Sequence, residues 1–185
     1  MNPSTSRYGD AAHGSDSDDL ACEKIRRFGF KVVPNVLSST QLDYCRRAID
    51  QQLEDQAKAF TPDHLAAIGE LDIVRAPLVN DEFFLYSVAM APAIRDLAGR
   101  VIGGYCLLHL QNAIINRPDR PHHHSAWHRD LPYFDRTSSA PLALSAIFCI
   151  DRFSAQTGAT WVPSRFTPCP RTAFERCSRA AWRTT

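Results

Sequence analysis

Hydrophobic positions in the first half of the chain recur at the spacing of a helix. Four of them follow the pattern of one helix face: Leu42, Cys45, Ile49 and Leu53. Ser38 precedes this run and Gln41 lies three residues later, an arrangement that predicts an N-terminal capping box. We therefore expect an amphipathic helix that begins at Ser38 and packs one face on the rest of the protein.

The other predicted elements fall into helices early in the chain and strands late in it. Helical composition is found at residues 21–27, 61–69, 82–90 and 92–100. Apolar, β-branched or aromatic segments that predict strands lie at residues 28–33, 105–115, 142–150 and 159–162. Helices followed by strands indicate an α+β fold, with a sheet or barrel in the carboxyl-terminal half.

Composition divides the chain into three parts. Residues 1–19 are polar and predict a mobile tail, residues 20–163 predict one incomplete domain, and residues 164–185 carry five arginines against one acid. The last part is therefore expected to be a basic tail foreign to the fold, as after a truncation or a change of reading frame.

Charge and hydropathy exclude several kinds of protein. The net charge of +1 offers no field for nucleic acid or an anionic membrane, and no apolar run reaches the length of a membrane helix. The amino terminus lacks the apolar core of a secretory signal, so we expect a cytoplasmic protein. In that compartment the six cysteines are expected to be reduced and mostly buried.

The clearest candidate chemistry is an H-x-D sequence, His128-Arg129-Asp130, which follows a strand and a proline-rich polar loop. Side chains two residues apart on a strand end project to the same side. An imidazole and a carboxylate are two of the three ligands in the facial triad of non-haem Fe(II) enzymes. The pattern thus predicts two metal ligands, although a single tripeptide also arises by chance.

The order of several segments resembles the phytanoyl-CoA dioxygenase-like family of Fe(II)/2-oxoglutarate oxygenases. The resemblance covers about residues 20–163 and depends on the segments 28–38, 127–130 and 158–163, together with Gln111 on the strand before the metal loop. In 127–130 the chain reads W-H-R-D, and in 158–163 it reads G-A-T-W-V-P.

The resemblance implies a partial double-stranded β-helix, a jelly-roll or cupin-like barrel, with flanking amino-terminal helices. It implies a dioxygenase that binds Fe(II) at His128 and Asp130, uses 2-oxoglutarate as cosubstrate and O₂, and hydroxylates a small organic substrate. Gln111 would contact cosubstrate or substrate, although a satisfied polar pair with His109 on a half-buried strand is an equal alternative.

The departures from the family pattern are equally informative. Family members continue past Pro163 and supply a second iron-ligating histidine and an arginine for 2-oxoglutarate, but no histidine follows His128 here. The third ligand and the arginine therefore stay unassigned, and the loop histidines 122–124 are a weak substitute. Activity is expected to be impaired, and two alternatives stay open: an inactive remnant or binding module, or one part of an oligomeric site.

Overall fold

The computed structural model describes residues 18–119, 128, 130, 138 and 140–162. Residues 1–17 of the predicted tail 1–19, the predicted basic tail 164–185 and the loop histidines at 122–124 lie outside the described residues. Asp18 and Asp19, which were also expected to belong to the mobile tail, begin the first helix instead. The described residues belong to two compact units: residues 18–34, 128, 130, 161 and 162 belong to the first, and residues 35–119, 138 and 140–160 belong to the second.

Five helices and two short strands are described, so the described part is mixed helix and sheet. The helices are α1 (Asp18–Phe28), α2 (Ser39–Phe60), α3 (Pro62–Ala67), α4 (Pro77–Asn80) and α5 (Pro92–Ile102). A π-helical segment covers Phe84–Ala89 and a 3₁₀ turn covers Ala155–Thr157. Strands β1 (Ile73–Arg75) and β2 (Asn112–Ile114) pair antiparallel, with Val74 opposite Ala113.

Helix α2 begins where the sequence predicts it. The Ser38 hydroxyl accepts from the Gln41 backbone N–H, and the Gln41 side chain accepts from the Ser38 N–H, which completes the capping box. None of the described helices combines the length and apolar character needed to cross a bilayer.

The core of the second unit forms where α2 meets the π-helical segment. Cys45, Phe84 and Val88 are buried at its centre. Residues packed around them come from both ends of the unit: Leu37, Ala48, Ile49, Leu78, Phe83, Phe148 and Ile150. Through this core the late apolar segment, which contains Phe148 and Ile150, packs against α2.

Strand β1 is buried beside the same helix. Ile73 and Val74 are almost fully buried, and the Gln56 side chain of α2 donates to the Ile73 carbonyl at 2.7 Å. No strand is predicted here from the sequence, because three residues are too few to show a period.

The strand predicted at 28–33 is wrong. Helix α1 continues through Phe28, and the Gly29 N–H donates to the Ile25 carbonyl at 2.8 Å with φ at +83°. This left-handed glycine ends the helix, and residues 30–33 reach the turn at Pro34 and Asn35 without forming a strand.

The strand predicted at 105–115 is mostly wrong, since only Asn112–Ile114 is in the sheet. The ladder ends after the Ala76 N–H donates to the Gln111 carbonyl at 2.8 Å. The next residue, Pro77, has no N–H to donate. Residues 105–110 therefore run past the end of β1, with Tyr105 and Leu107 strongly exposed.

The strands predicted at 142–150 and 159–162 are also wrong for the described residues, none of which pair there. Residues 147–150 do keep the alternation of a strand: Phe148 and Ile150 are half-buried, and Ile147 and Cys149 are exposed. All four residues are apolar, so this alternation of burial is not visible in the sequence, and a strand also requires a neighbouring segment to pair with.

Four cysteines lie in the described part, and all four are free thiols. Cys22 and Cys45 are buried, whereas Cys106 and Cys149 are exposed. The expectation of mostly buried thiols therefore holds for only half of them.

Candidate functional site

The two residues of the H-x-D sequence lie side by side. The His128 Nε2 is 3.7 Å from the Asp130 Oδ1, and both side chains are solvent-accessible, 46% and 62% exposed. This separation is longer than a hydrogen bond, so the imidazole and the carboxylate are close to each other but are not hydrogen-bonded to each other. The two side chains approach each other, but neither residue lies in a described strand, so the strand-end geometry on which the expectation rested is not observed.

The separation of these two atoms can be compared with the demands of a metal ion. Nitrogen and oxygen donors about 2.1 Å from one divalent ion, at right angles to each other, are about 3.0 Å apart. Closing the 3.7 Å separation to that value needs a shift smaller than 1 Å, which rotation about side-chain bonds can supply. The donor types suit Fe(II) as well, since imidazole and carboxylate both occur in its facial triad.

A third ligand is not found in the part of the chain that the structure describes. No group of three or more His, Cys, Asp or Glu side chains that could hold a metal ion occurs there. His128 and Asp130 thus fit two positions of a facial site, and their role as iron ligands stays a prediction.

Gln111 lies at a junction inside the second unit. Its Oε1 accepts from the Leu78 N–H at 3.1 Å, and its Nε2 donates to the Phe84 carbonyl at 3.0 Å. The amide therefore joins the first turn of α4 to the π-helical segment. Gln111 thus has a bridging role within the protein. Its amide group keeps a second lone pair and a second hydrogen, and a contact between these atoms and cosubstrate stays a prediction.

Other residues singled out from the sequence have different surroundings. His109 is exposed, on a segment that is outside the sheet, so the shared strand face with Gln111 is not formed. Trp161 is 65% exposed. Trp127 and Pro163 lie outside the described residues.

The end of β2 is held by an ion pair that the sequence analysis did not identify. Arg117 Nε lies 3.3 Å from the Asp72 Oδ1, and Asp72 is buried with 7% of its surface exposed. The Asp72 carbonyl also accepts from the Ile115 N–H at 2.9 Å. The sequence signal that could have indicated this ion pair is an acidic residue within the apolar stretch beside β1, because charged residues are rarely buried unless they are paired.

A second unpredicted contact ties the late apolar segment to α2. Arg46 donates from Nε to the Asp151 carboxylate at 2.7 Å and from its terminal nitrogen to the Ile150 carbonyl at 2.6 Å. The hydrogen bond to Asp151 raises the pKa of Arg46 above its ordinary value. At the preceding residue, burial raises the pKa of the Cys45 thiol and favours its neutral form.

The sequence of the chain is similar to a known protein family and to two curated proteins. The family model described as "Phytanoyl-CoA dioxygenase (PhyH)" matches residues 25–163, which include Gln111, His128 and Asp130. Uncharacterized proteins of Mycobacterium bovis and Mycobacterium tuberculosis are each 30% identical over 152 residues, covering 78% of this chain and 54% of theirs. The chain therefore spans about half the length of these curated relatives. No solved structure matches it.

Proposed function

Because the chain belongs to the phytanoyl-CoA dioxygenase (PhyH) family, we propose that it carries part of an Fe(II)/2-oxoglutarate-dependent dioxygenase site that hydroxylates a small organic substrate. The observation that carries this proposal is the approach of His128 to Asp130, 3.7 Å between Nε2 and Oδ1. The whole domain is proposed to be the partial double-stranded β-helix of this family, with O₂ and 2-oxoglutarate as co-reactants and no nucleic acid or membrane partner.

His128 would bind the ion through a ring nitrogen and Asp130 through one carboxylate oxygen. Bound Fe(II), with 2-oxoglutarate, would supply the activation of O₂ and the oxidation of the substrate. The exposure of both side chains leaves them accessible to an ion and to small molecules. Metal binding requires a deprotonated ring nitrogen on His128 and an ionised carboxylate on Asp130.

Gln111 has a supporting role in this proposal. Its amide holds α4 and the π-helical segment in place through the Leu78 N–H and the Phe84 carbonyl. Its remaining hydrogen and lone pair could serve a carboxylate or hydroxyl of cosubstrate or substrate.

The test is Fe(II)-dependent conversion of 2-oxoglutarate to succinate by the full chain. Turnover should require added Fe(II) and be lost in His128→Ala, while His64→Ala, which removes an exposed histidine on α3, should keep it. Circular dichroism would establish that both variants are folded.

Three outcomes of this assay separate the proposal from its alternatives. Equal turnover in wild type and His128→Ala would contradict the assignment. A folded chain with no turnover and no thermal shift on adding Fe(II) would indicate the inactive remnant or binding module. Turnover that rises faster than in proportion to protein concentration would indicate a site shared between copies.

A further inference from the structure

The segment 105–110 presents an apolar surface that is open to solvent. Every residue from 103 to 110 is exposed. Tyr105 is 87% exposed and Leu107 is 77% exposed. Leu108 and Leu110 are each more than half exposed. A contiguous apolar surface of this kind commonly binds another molecule.

Contacts at both ends hold this segment in place. At its start, the Gly103 N–H donates to the Gly99 carbonyl at 3.0 Å and ends α5. At its end, the Gln111 carbonyl accepts from the Ala76 N–H at 2.8 Å, next to β2. The segment therefore connects two fixed points of one compact unit, and its exposure is not that of a loose chain end.

The segment has the composition of a strand. Five of its six residues are apolar, and a nearly continuous apolar run is typical of a strand that is covered on both faces. In the part of the chain that the structure describes, the one sheet contains only β1 and β2, and residues 105–110 lie outside it. Among the described residues, the segment thus lacks the neighbouring strand that its composition favours.

The charge of the segment favours a second copy of the chain as its partner. No Asp, Glu, Lys or Arg occurs from residue 101 to residue 116. Edge strands of natural proteins are usually protected by charged side chains or by proline, and this stretch contains neither. Two identical segments would therefore meet without repulsion, and the net charge of +1 leaves two whole chains without strong repulsion as well.

We infer that the segments 105–110 of two copies pair antiparallel, so that the protein forms a two-fold symmetric dimer. This inference does not depend on the proposed function, because the segment contains neither His128 nor Asp130. With a surface of about 1.45 Å² per dalton for an extended chain, the exposed parts of the four large apolar residues offer about 500 Å² per copy. Two copies would then bury about 1,000 Å², the lower end of the range for specific interfaces.

Full overlap of the two segments would place apolar side chains opposite each other. The two-fold axis would pass between residues 107 and 108. Tyr105 would lie opposite Leu110 of the second copy, and Leu107 opposite Leu108 of the second copy. Such directly opposed apolar pairs stabilise an antiparallel ladder. Because both copies use the same surface, the assembly closes at two chains.

The first test measures the dimer dissociation constant of the full chain by sedimentation velocity over a range of protein concentrations. Leu107→Lys places a charge at the centre of the interface and should raise this constant by about tenfold or more. Val79→Lys is the matched control, because Val79 is 74% exposed on α4 of the same unit, and it should dimerise like wild type. A monomeric wild type, or equal dissociation constants for the two variants, would overturn the inference.

Crosslinking within the segment gives an independent readout. Cys106 is an exposed free thiol. In full overlap the two copies of Cys106 would lie three residues apart along the pair, about 10 Å. A flexible bismaleimide should therefore trap the dimer, and Cys106→Ser should abolish the trapped species. Cys149→Ser, which removes the other exposed thiol of the described part, should retain it, and equal trapping in both variants would contradict the pairing.

Hydrogen exchange distinguishes a second copy from cover by the same chain. In the dimer the backbone amides of residues 105–110 should exchange about tenfold or more slowly than in Leu107→Lys, because pairing protects them from solvent. Slow exchange in a monomeric wild type would show that other residues of the same chain cover the segment, and it would overturn the inference.

Discussion

Residues 39–102 and the two apolar segments at 105–111 and 141–150 differ in how their backbone conformation is determined. The first region is mostly helical, and the hydrogen bonds in the interior of a helix join residues four positions apart. The two apolar segments contain no helix or strand, although their composition favours strand. Local sequence therefore predicts most of the helices of the first region, whereas the conformation of the second depends on the segments that lie beside it.

The buried core and the candidate metal ligands lie in different parts of the chain. The helical region supplies the buried cluster of Cys45, Phe84 and Val88. The candidate ligands His128 and Asp130 lie between the two apolar segments in the sequence and are exposed. The comparison predicts that stability and metal chemistry respond to different substitutions, and four changes test this, beginning with the largest expected effect.

Removing a large side chain from the helical core should have the greatest effect on stability. Phe84→Ala empties a site that is 4% exposed and should lower the free energy of unfolding by about 3–5 kcal/mol. Tyr86→Ala, on the same π-helical segment but 66% exposed, should change it by less than about 0.5 kcal/mol. Equal losses in urea denaturation would show that this core does not hold the region together.

Gln111 tests the junction between the two regions. Gln111→Leu keeps the bulk but leaves the Leu78 N–H and the Phe84 carbonyl without their amide partner. The expected cost is about 1–3 kcal/mol, the penalty for unsatisfied polar groups in a half-buried place. Gln51→Leu, which removes an exposed bond to Asp55, should cost much less.

The Gln111 variant also separates bridging from cosubstrate contact. A variant that loses stability but keeps 2-oxoglutarate affinity would assign Gln111 to structure alone. A variant of unchanged stability with weaker 2-oxoglutarate binding would contradict the bridging role.

Alkaline pH should weaken the helical core through Cys45. Burial raises the pKa of its thiol, so above the ordinary thiol pKa of about 8.5 the unfolded chain loses this proton before the folded chain does. Folding stability should then fall as the pH rises from about 8 to 10. The decline should be shallower in Cys45→Ala than in Cys106→Ala, which alters an exposed thiol, and parallel curves would refute the assignment.

Arg46 should give the smallest of these effects. Arg46→Met removes the bonds to Asp151 and the Ile150 carbonyl that tie the late segment to α2. A small loss of stability is expected, because the Arg46 and Asp151 side chains are 39% and 81% exposed and water screens the pair. Arg47→Met on the same helix is the control, and a larger loss there would contradict the contact.

Prediction from sequence succeeded where the determining contacts are local. The Ser38–Gln41 capping box, α1 and α5 follow from residues within a few positions of one another. The strand prediction at 105–111 failed because the ladder stops at Pro77, which has no backbone N–H to donate. Pro77 lies up to 34 positions earlier in the sequence, so the pattern of residues 105–111 does not indicate that the ladder ends there.

The contacts of the candidate site also differ in how far apart in the sequence the two partners lie. The approach of His128 to Asp130 was expected from their two-residue spacing at a strand end, but neither residue lies in a described strand. The hydrogen bonds of Gln111 and the pairing of Asp72 with Arg117 join residues about 30 to 45 positions apart. Such pairs depend on tertiary packing, and apolar periodicity carries no information about them.

The central claim is that one imidazole and one carboxylate form a ferrous-iron site. Anaerobic calorimetric titration of the full chain with Fe(II), with and without 2-oxoglutarate, measures this directly. The account predicts saturable binding of a single ion that 2-oxoglutarate strengthens, that is lost in His128→Ala and in Asp130→Ala, and that His64→Ala retains. Binding of equal affinity in all four proteins, or none in wild type, would contradict it.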